Sequence, residues 1–219
     1  MTGLLYDYAL SGNCYKIRLM AALLGVRVDT KSVDFYPGNE HRSLPFLALN
    51  PAGTLPVFAE GDLVLTESAA ILTYLAQNHD PKGNWFPTQD PGRLAKVQQW
   101  LSFSGRLTAT AGEARLGAML NKPVDMDKAR DGARSALREM EAALTDQKLL
   151  GCAFLTGATP TIADIACFPY AALAADGGIE LDPYPALRDW IFSVRTLPGF
   201  IEMPGIHAVH EILTTEEPA

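Results

Sequence analysis

The strongest constraint on how this chain folds is a change of pattern partway along it. Residues 3–79 read as alternating strands and helices, and beyond a proline- and glycine-rich break the strand signal disappears. Residues 3–8 predict a short strand, ended by the turn-prone Ser11-Gly12-Asn13. Ile17, Met20, Ala21 and Leu24 then recur at helical spacing, with Gly25 as the stop. Residues 26–35 predict a second strand, broken by Pro37-Gly38, and 40–49 a short irregular helix because Pro45 falls inside it. After the turn Asn50-Pro51-Ala52-Gly53, residues 56–59 and 63–66 flank Glu60-Gly61-Asp62 as a hairpin, and 67–78 return to a helical pattern. The order is βαβαββα.

Residues 80–92 carry three prolines and two glycines, a linker composition. The chain therefore divides into an α/β domain over 1–79, a linker over 80–91 and an all-α domain over 92–219. Helices are predicted over 91–120, 126–146, 161–175 and 185–196, with a tail after Pro198; Pro169 is expected to kink the third of them. At 219 residues and 48% apolar content, each domain can bury a core.

The formal charge of -7, without a basic cluster, gives no electrostatic case for nucleic acid or an anionic membrane as partner. No apolar run approaches the ~20 residues of a spanning helix, and the first residues lack a signal-peptide pattern. Cys14, Cys152 and Cys167 are too sparse for a disulfide framework and fit reduced thiols, which places the chain in the cytoplasm. No His, Cys or carboxylate cluster has metal-ligand spacing, and no phosphate-loop or dinucleotide glycine pattern is present.

Four stretches carry a resemblance: Ser11-Gly12-Asn13-Cys14-Tyr15-Lys16-Ile17-Arg18, Asn50-Pro51-Ala52-Gly53-Thr54-Leu55-Pro56, Thr66-Glu67-Ser68-Ala69-Ala70-Ile71 and Thr159-Pro160-Thr161-Ile162-Ala163-Asp164. In this order and spacing the chain resembles the cytosolic glutathione transferase superfamily, most nearly its bacterial serine-type (theta/zeta/nu-like) members. The resemblance implies a thioredoxin-like N-terminal domain, an all-helical C-terminal domain and a homodimer. It also implies an enzyme joining its co-substrate glutathione to an electrophilic small molecule. A glutathione-dependent disulfide reductase or isomerase, and a non-catalytic binding protein that kept the fold, are the alternatives.

Such an enzyme must ionise a thiol whose free pKa is about 8.5. Lowering it by ~2 units needs ~2.7 kcal/mol of preferential thiolate stabilisation, within reach of a hydroxyl donor near a helix N-terminus. In the resemblance Ser11 is that donor, with Asn13 assisting or competing; helix capping is the ordinary role of either. Cys14, at a helix N-terminus, would have a lowered pKa and act by mixed disulfide, or be a small buried residue. Tyrosine-type catalysis is set aside, because Asp7 occupies the corresponding strand position and Tyr6 and Tyr8 should face the other side. Leu55-Pro56 matches the family's cis-proline junction, whose backbone pairs with the cysteinyl residue like an added strand. Glu67 and Ser68 would hold the γ-glutamyl end, and His41 or Arg42 the glycine carboxylate. Thr54 stands where such relatives often carry Lys. Thr161 and Asp164 form a structural capping box. Trp100, Phe103, Arg106 and Leu107 are candidate walls for the second substrate.

Overall fold

A computed structural model describes residues 3–207; the remainder of the expected helical domain, 208–219, lies outside the described residues. Strand β1 (Leu4–Asp7) leads into helix α1 (Gly12–Leu24). Ser11 is the N-cap: its backbone is extended and its Oγ accepts the Cys14 N–H at 3.2 Å, satisfying one of the orphan donors of the first turn. Gly25, at φ +66°, closes the other end in the left-handed conformation that favours glycine.

Strand β2 (Asp29–Ser32) is shorter than the predicted 26–35. It pairs residue for residue with β1, Leu4 opposite Asp29 through Asp7 opposite Ser32, so the four-residue length of β1 limits the ladder. A 3-10 turn (Glu40–Arg42) and α2 (Leu44–Leu49) follow. Pro45 falls in the first turn of α2, where no intrahelical N–H is needed, so the helix is short but intact. Strands β3 (Val57–Glu60) and β4 (Leu63–Leu65) form the hairpin over Gly61, and α3 (Ser68–His79) completes the βαβαββα order.

The sheet runs β2-β1-β3-β4, with β2 parallel to β1 and the other pairs antiparallel. Opposed residues alternate between its faces. Leu5 and Phe58 join the main core with α1 and α3, while Val57 joins a smaller cluster with Val33 and Phe46, against which Tyr6 packs.

The predicted linker is docked. Asp80 Oδ2 accepts the Trp85 N–H at 2.7 Å, and the Trp85 carbonyl accepts the Ile162 N–H at 2.9 Å. That satisfies an orphan donor at the start of α7.

The helical half contains α4 (Pro91–Leu107), a π-helical turn (Thr108–Gly112), α5 (Glu113–Leu120), α6 (Met126–Leu149), α7 (Ile162–Ala172) and α8 (Pro185–Arg195). The predicted helix over 91–120 is thus interrupted by a wider turn, and Pro169 lies inside α7 without ending it. Helix α7 is buried along almost its whole length and packs on α1, α3, α4 and α8. Thr161 and Asp164 form its capping box. The fully buried Asp164 carboxylate also reaches beyond the helix, accepting from Leu155 N at 2.9 Å and Trp190 Nε1 at 2.8 Å.

Two glycines let the rest of the fold approach α7 at Tyr170. A Cβ on Gly12 of α1 would lie 2.9 Å from the Tyr170 ring, and one on Gly112 of the π-helical turn 3.0 Å from it. Lys16, buried in α1, holds its ammonium 5.3 Å from the centre of the same ring.

Two outcomes follow for stability. Asp164→Ala leaves three buried N–H donors without an acceptor, so it should cost about 3 kcal/mol or more in urea unfolding; a loss below about 1 kcal/mol would show that water replaces the carboxylate. Burial pushes the Lys16 ammonium down to about 8, with Cys167 and Glu67 opposing the shift. An unfolded lysine keeps its proton to about pH 10.4, so the penalty is fully present below about pH 8 and fades as pH rises from there toward about 10.4. Lys16→Met should therefore stabilise the fold at neutral pH by up to about 3 kcal/mol. The gain should shrink on approach to about pH 10; a pH-independent effect would rule out desolvation of the ammonium as its cause.

Candidate active site

A cleft of about 400 Å³ opens where the end of β1 meets the π-helical turn and α5. Its sheet-side wall comes from three loops. The β1–α1 turn contributes Tyr8, Leu10, Ser11 and Asn13; the segment after β2 contributes Phe35, His41 and Arg42; the loop before β3 contributes Gly53, Thr54 and Leu55. Six of the sequence-derived candidates are thus accounted for: Ser11, Asn13, His41, Arg42 and Leu55 line the cleft, and Pro56 is buried directly behind Leu55. Glu67 and Ser68 do not line it. They start α3, Glu67 exposed as N-cap without a side-chain capping bond and Ser68 half-buried.

Ser11 is held in two directions. Its N–H donates to the Tyr8 carbonyl at 2.8 Å, and its Oγ accepts from Cys14 N. Because the cap uses an oxygen lone pair, the hydroxyl hydrogen stays available to a further acceptor. Asn13 Oδ1 accepts from Thr108 Oγ1 at 3.4 Å, a bond linking α1 to the π-helical turn.

Cys14 follows the second of its two readings, the small buried residue. Its side chain is fully buried, outside the cleft, and burial pushes the thiol up to about 12 against the lowering contacts of Ser11 and Tyr8. Desolvation of the charged form outweighs the helix N-terminus. Cys14 is the small buried residue of the first turn, which disfavours chemistry through its thiolate.

The Leu55–Pro56 bond is cis. Asn50 shapes the approach to it: Nδ2 donates to the Thr54 carbonyl at 2.8 Å and Oδ1 accepts the Ala52 N–H at 3.1 Å. The Leu55 N–H and C=O make no hydrogen bond among the described residues. Gly53, at φ +59°, lets this loop close on the 41–42 segment, where a Cβ would lie 2.9 Å from the His41 carbonyl.

His41 is 3% exposed, with its ring stacked on Phe35 at 4.2 Å. Burial, then Arg42 and Lys122, hold its pKa below the usual histidine range, so the ring is neutral at pH 7. Its Nδ1 is buried without a partner among the described residues. Arg42 is exposed and donates to the Ala52 carbonyl at 3.3 Å.

The opposite wall differs from the expected one. Trp100, Phe103 and Arg106 line a separate shallow depression, where Arg106 pairs with Glu139 at 2.7 Å, and Leu107 is buried in the core. The cleft is closed instead by Thr108, Gly112, Arg115, Leu116 and Met119, with Lys122 and Tyr170 beside them. Those first five positions recur at helical spacing, so the periodicity that suggested a wall was sound but belonged to a neighbouring stripe farther along.

Tyr8 was also missed. Strand alternation turns Tyr6 toward Phe46, ring centres 6.2 Å apart, but β1 stops at Asp7 and Tyr8 lines the cleft. Asp7 itself is occupied by an ion pair with Arg18.

Known proteins share this arrangement. The glutathione S-transferase N-terminal domain family matches residues 5–83, and its C-terminal domain family matches residues 123–191. Glutathione S-transferase 2 of Anopheles gambiae is 32% identical over 206 residues, 93% of this chain and 95% of that protein. The crystal structure of a Pseudomonas fluorescens glutathione S-transferase superposes with a TM-score of 0.82 at 31% identity, covering 93% of this chain and 99% of its own. A glutathione transferase homologue from Drosophila mojavensis, solved with bound glutathione, gives 0.78 at 27% identity over 90% of this chain and 89% of its own. Matched in order by both domain families and aligned with these relatives over nearly its full length, the chain belongs to the glutathione S-transferase family.

Proposed function

We propose that the protein conjugates glutathione to an electrophilic small molecule in this cleft, with glutathione along the sheet-side wall and the electrophile against the π-helical turn and α5. The observation that carries the reading is the unpaired Leu55 backbone, lining the same cleft as the Ser11 hydroxyl and Asn13 amide. An extended tripeptide can add to that edge as a strand would, its cysteinyl N–H and C=O answering those of Leu55. Pro56 keeps this edge in place from behind.

The two ends of the peptide need anion sites. Strands β3 and β4 pair Phe58 with Leu65; continuing that register past the ladder sets Pro56 opposite Glu67 and Leu55 opposite Ser68. A peptide along Leu55 thus runs toward the N-terminus of α3, where free N–H groups and the Ser68 hydroxyl suit the γ-glutamyl carboxylate and Glu67 its ammonium. At the other end, neutral His41 offers a ring N–H, and Arg42 a charge, to the glycine carboxylate.

Ser11 donates its free hydroxyl hydrogen to the thiolate, and Asn13 assists with its amide. The thiolate attacks the electrophilic carbon; the C–S bond forms as the leaving group departs with its electron pair, or as an acceptor double bond is saturated and protonated. We also propose that the protein works as a homodimer in the cytoplasm, a reading supported by family resemblance and by three free cysteines. The domain division at 1–79, 80–91 and 92–219 is proposed with it.

Calorimetry should detect glutathione binding to the wild-type protein, and no uptake would refute the reading. Ser11→Ala should raise the pH at which bound glutathione ionises, read by thiolate absorbance, and lower kcat about 10- to 100-fold. Because Ser11 is also a cap, the variant should lose about 1 kcal/mol of stability as well. An unchanged thiol titration in a folded Ser11→Ala protein would remove Ser11 from catalysis.

A further inference from the structure

The far wall of the cleft carries a group that neither glutathione nor the fold uses up. Arg115 of α5 is 5% exposed and lines the cleft. Two of its three guanidinium nitrogens are committed: Nε donates to Asp176 Oδ2 at 2.9 Å, and Nη1 to the Leu10 carbonyl at 2.6 Å. Nη2 is buried and has no acceptor among the described residues. A buried, unmatched donor on a permanent cation is costly to maintain. The two committed nitrogens fix the guanidinium plane, so the open one is presented in a set direction.

The charges around it agree. The cleft is lined by Arg42, Arg115 and Lys122 against a single carboxylate, the exposed Glu113, although the chain as a whole is at -7. Lys122 is half-buried, its ammonium 4.4 Å from the centre of the Phe35 ring. Between these cations the surface is apolar and aromatic: Tyr8 and Phe35 on one side, Leu116, Met119 and Leu120 on the other.

Resting on the conjugation reading above, we infer that the second-substrate half of this cleft selects electrophiles that carry an anionic group, a carboxylate foremost, beside an aromatic or apolar body. Arg115 is the specificity-determining contact and Lys122, just past the end of α5, reinforces it from over the Phe35 ring. The carboxylate takes the open Nη2 in a charge-assisted bond while the ring lies among Tyr8, Phe35 and Leu116. Arg115's position separates this anion from those of glutathione, whereas Lys122 lies over Phe35, the ring on which His41 stacks, and serves both ends. Arg115 is tied to Leu10, the residue immediately before Ser11, so the guanidinium stands at the end of the cleft where the proposal seats the sulfur. The glycine end is assigned to His41 and Arg42, whose contacts are with Phe35 and Ala52.

The test compares two electrophiles with the same reacting ring, 4-chloro-3,5-dinitrobenzoate and its methyl ester, each corrected for its uncatalysed rate with glutathione. The wild-type protein should favour the carboxylate in kcat/KM. Lys122→Gln should reduce the carboxylate-to-ester ratio several-fold, and Arg115→Gln about tenfold or more. Added salt should lower the ratio in the wild type. Arg115 also joins α5 to Asp176 and Leu10, so unfolding temperatures are measured alongside; if Arg115→Gln does not fold, Lys122→Gln and the salt titration decide. A wild-type ratio near one, or variants that slow both electrophiles alike, would overturn the inference and make Arg115 a stabiliser of the thiolate or of the fold. Calorimetry with glutathione keeps the failures apart: no glutathione binding sinks the conjugation reading, whereas glutathione binding with a ratio near one sinks only the anionic selectivity.

Discussion

The buried carboxylate of Asp164 is the point on which the architecture turns. It caps α7, holds the loop at Leu155 and fixes Trp190 of α8, so three pieces of chain share one acceptor group. Burial pushes this carboxyl above the usual range, and the donors pull it back. Unmatched, the charge would be prohibitively costly in such a site; matched, it allows only one arrangement of the surrounding backbone. Helix α1, the π-helical turn and, through that turn, α5 are all seated on the helix that Asp164 caps.

The route from α7 to the cleft is short. Tyr170 lines the cleft, and Gly12 and Gly112 both approach its ring where a side chain would collide. Helix α1 brings Ser11 and Asn13; the π-helical turn brings Thr108 and, with α5, the opposite wall. The bond from Thr108 to Asn13 and that from Arg115 to Leu10 then cross between the halves of the chain. The spacing of the cleft is therefore set by packing against one aromatic ring rather than by the loops that line it. That is the usual way to hold reacting groups to small tolerances, since packed elements move less than loops do.

The N-terminal half was legible because its signals are local. Gly25, Gly61 and the Asn50-Pro51-Ala52-Gly53 turn each announce a chain reversal from a handful of residues, and Ser11-Gly12-Asn13 marks the start of α1. What stayed open, or was read otherwise, turned on terms that are not local. A cysteine at a helix N-terminus is acidified only if water or a counter-charge reaches it, and no sequence window reveals that Cys14 is sealed. Tyr8 was assigned by strand alternation, which ceases to apply one residue earlier, at Asp7. Trp100, Phe103 and Arg106 have the helical spacing of a wall but line a separate depression, whereas the stripe that faces the cleft holds Thr108, Gly112 and Arg115. Arg115 looks like any surface arginine until its partners, Leu10 and Asp176, are known to lie 105 and 61 residues away in sequence.

The same distinction explains how an acidic protein can hold a peptide with two carboxylates. Net charge acts over a Debye length of about 8 Å in physiological salt, and a cleft with low-dielectric walls responds mainly to the groups that line it. In this cleft those groups are Arg42, Arg115 and Lys122 against one rim carboxylate, with Asp176 paired to Arg115 from outside it, so the lining is more positive than the chain as a whole. The sheet-side wall supplies one cation, Arg42, and the neutral His41 ring from a 3-10 turn, close to backbone that an extended peptide can pair with. The helical wall supplies Arg115 from α5, already oriented by two fixed bonds. Arg115 is tied to the β1–α1 turn through Leu10 but, among the described residues, makes no bond to the Leu55 loop, so substitutions on α5 bear first on the Ser11 end of the cleft. In the proposed reading the Leu55 edge holds the constant peptide and Arg115 selects the variable electrophile, with α7 packed beneath Ser11 and the π-helical turn through Tyr170.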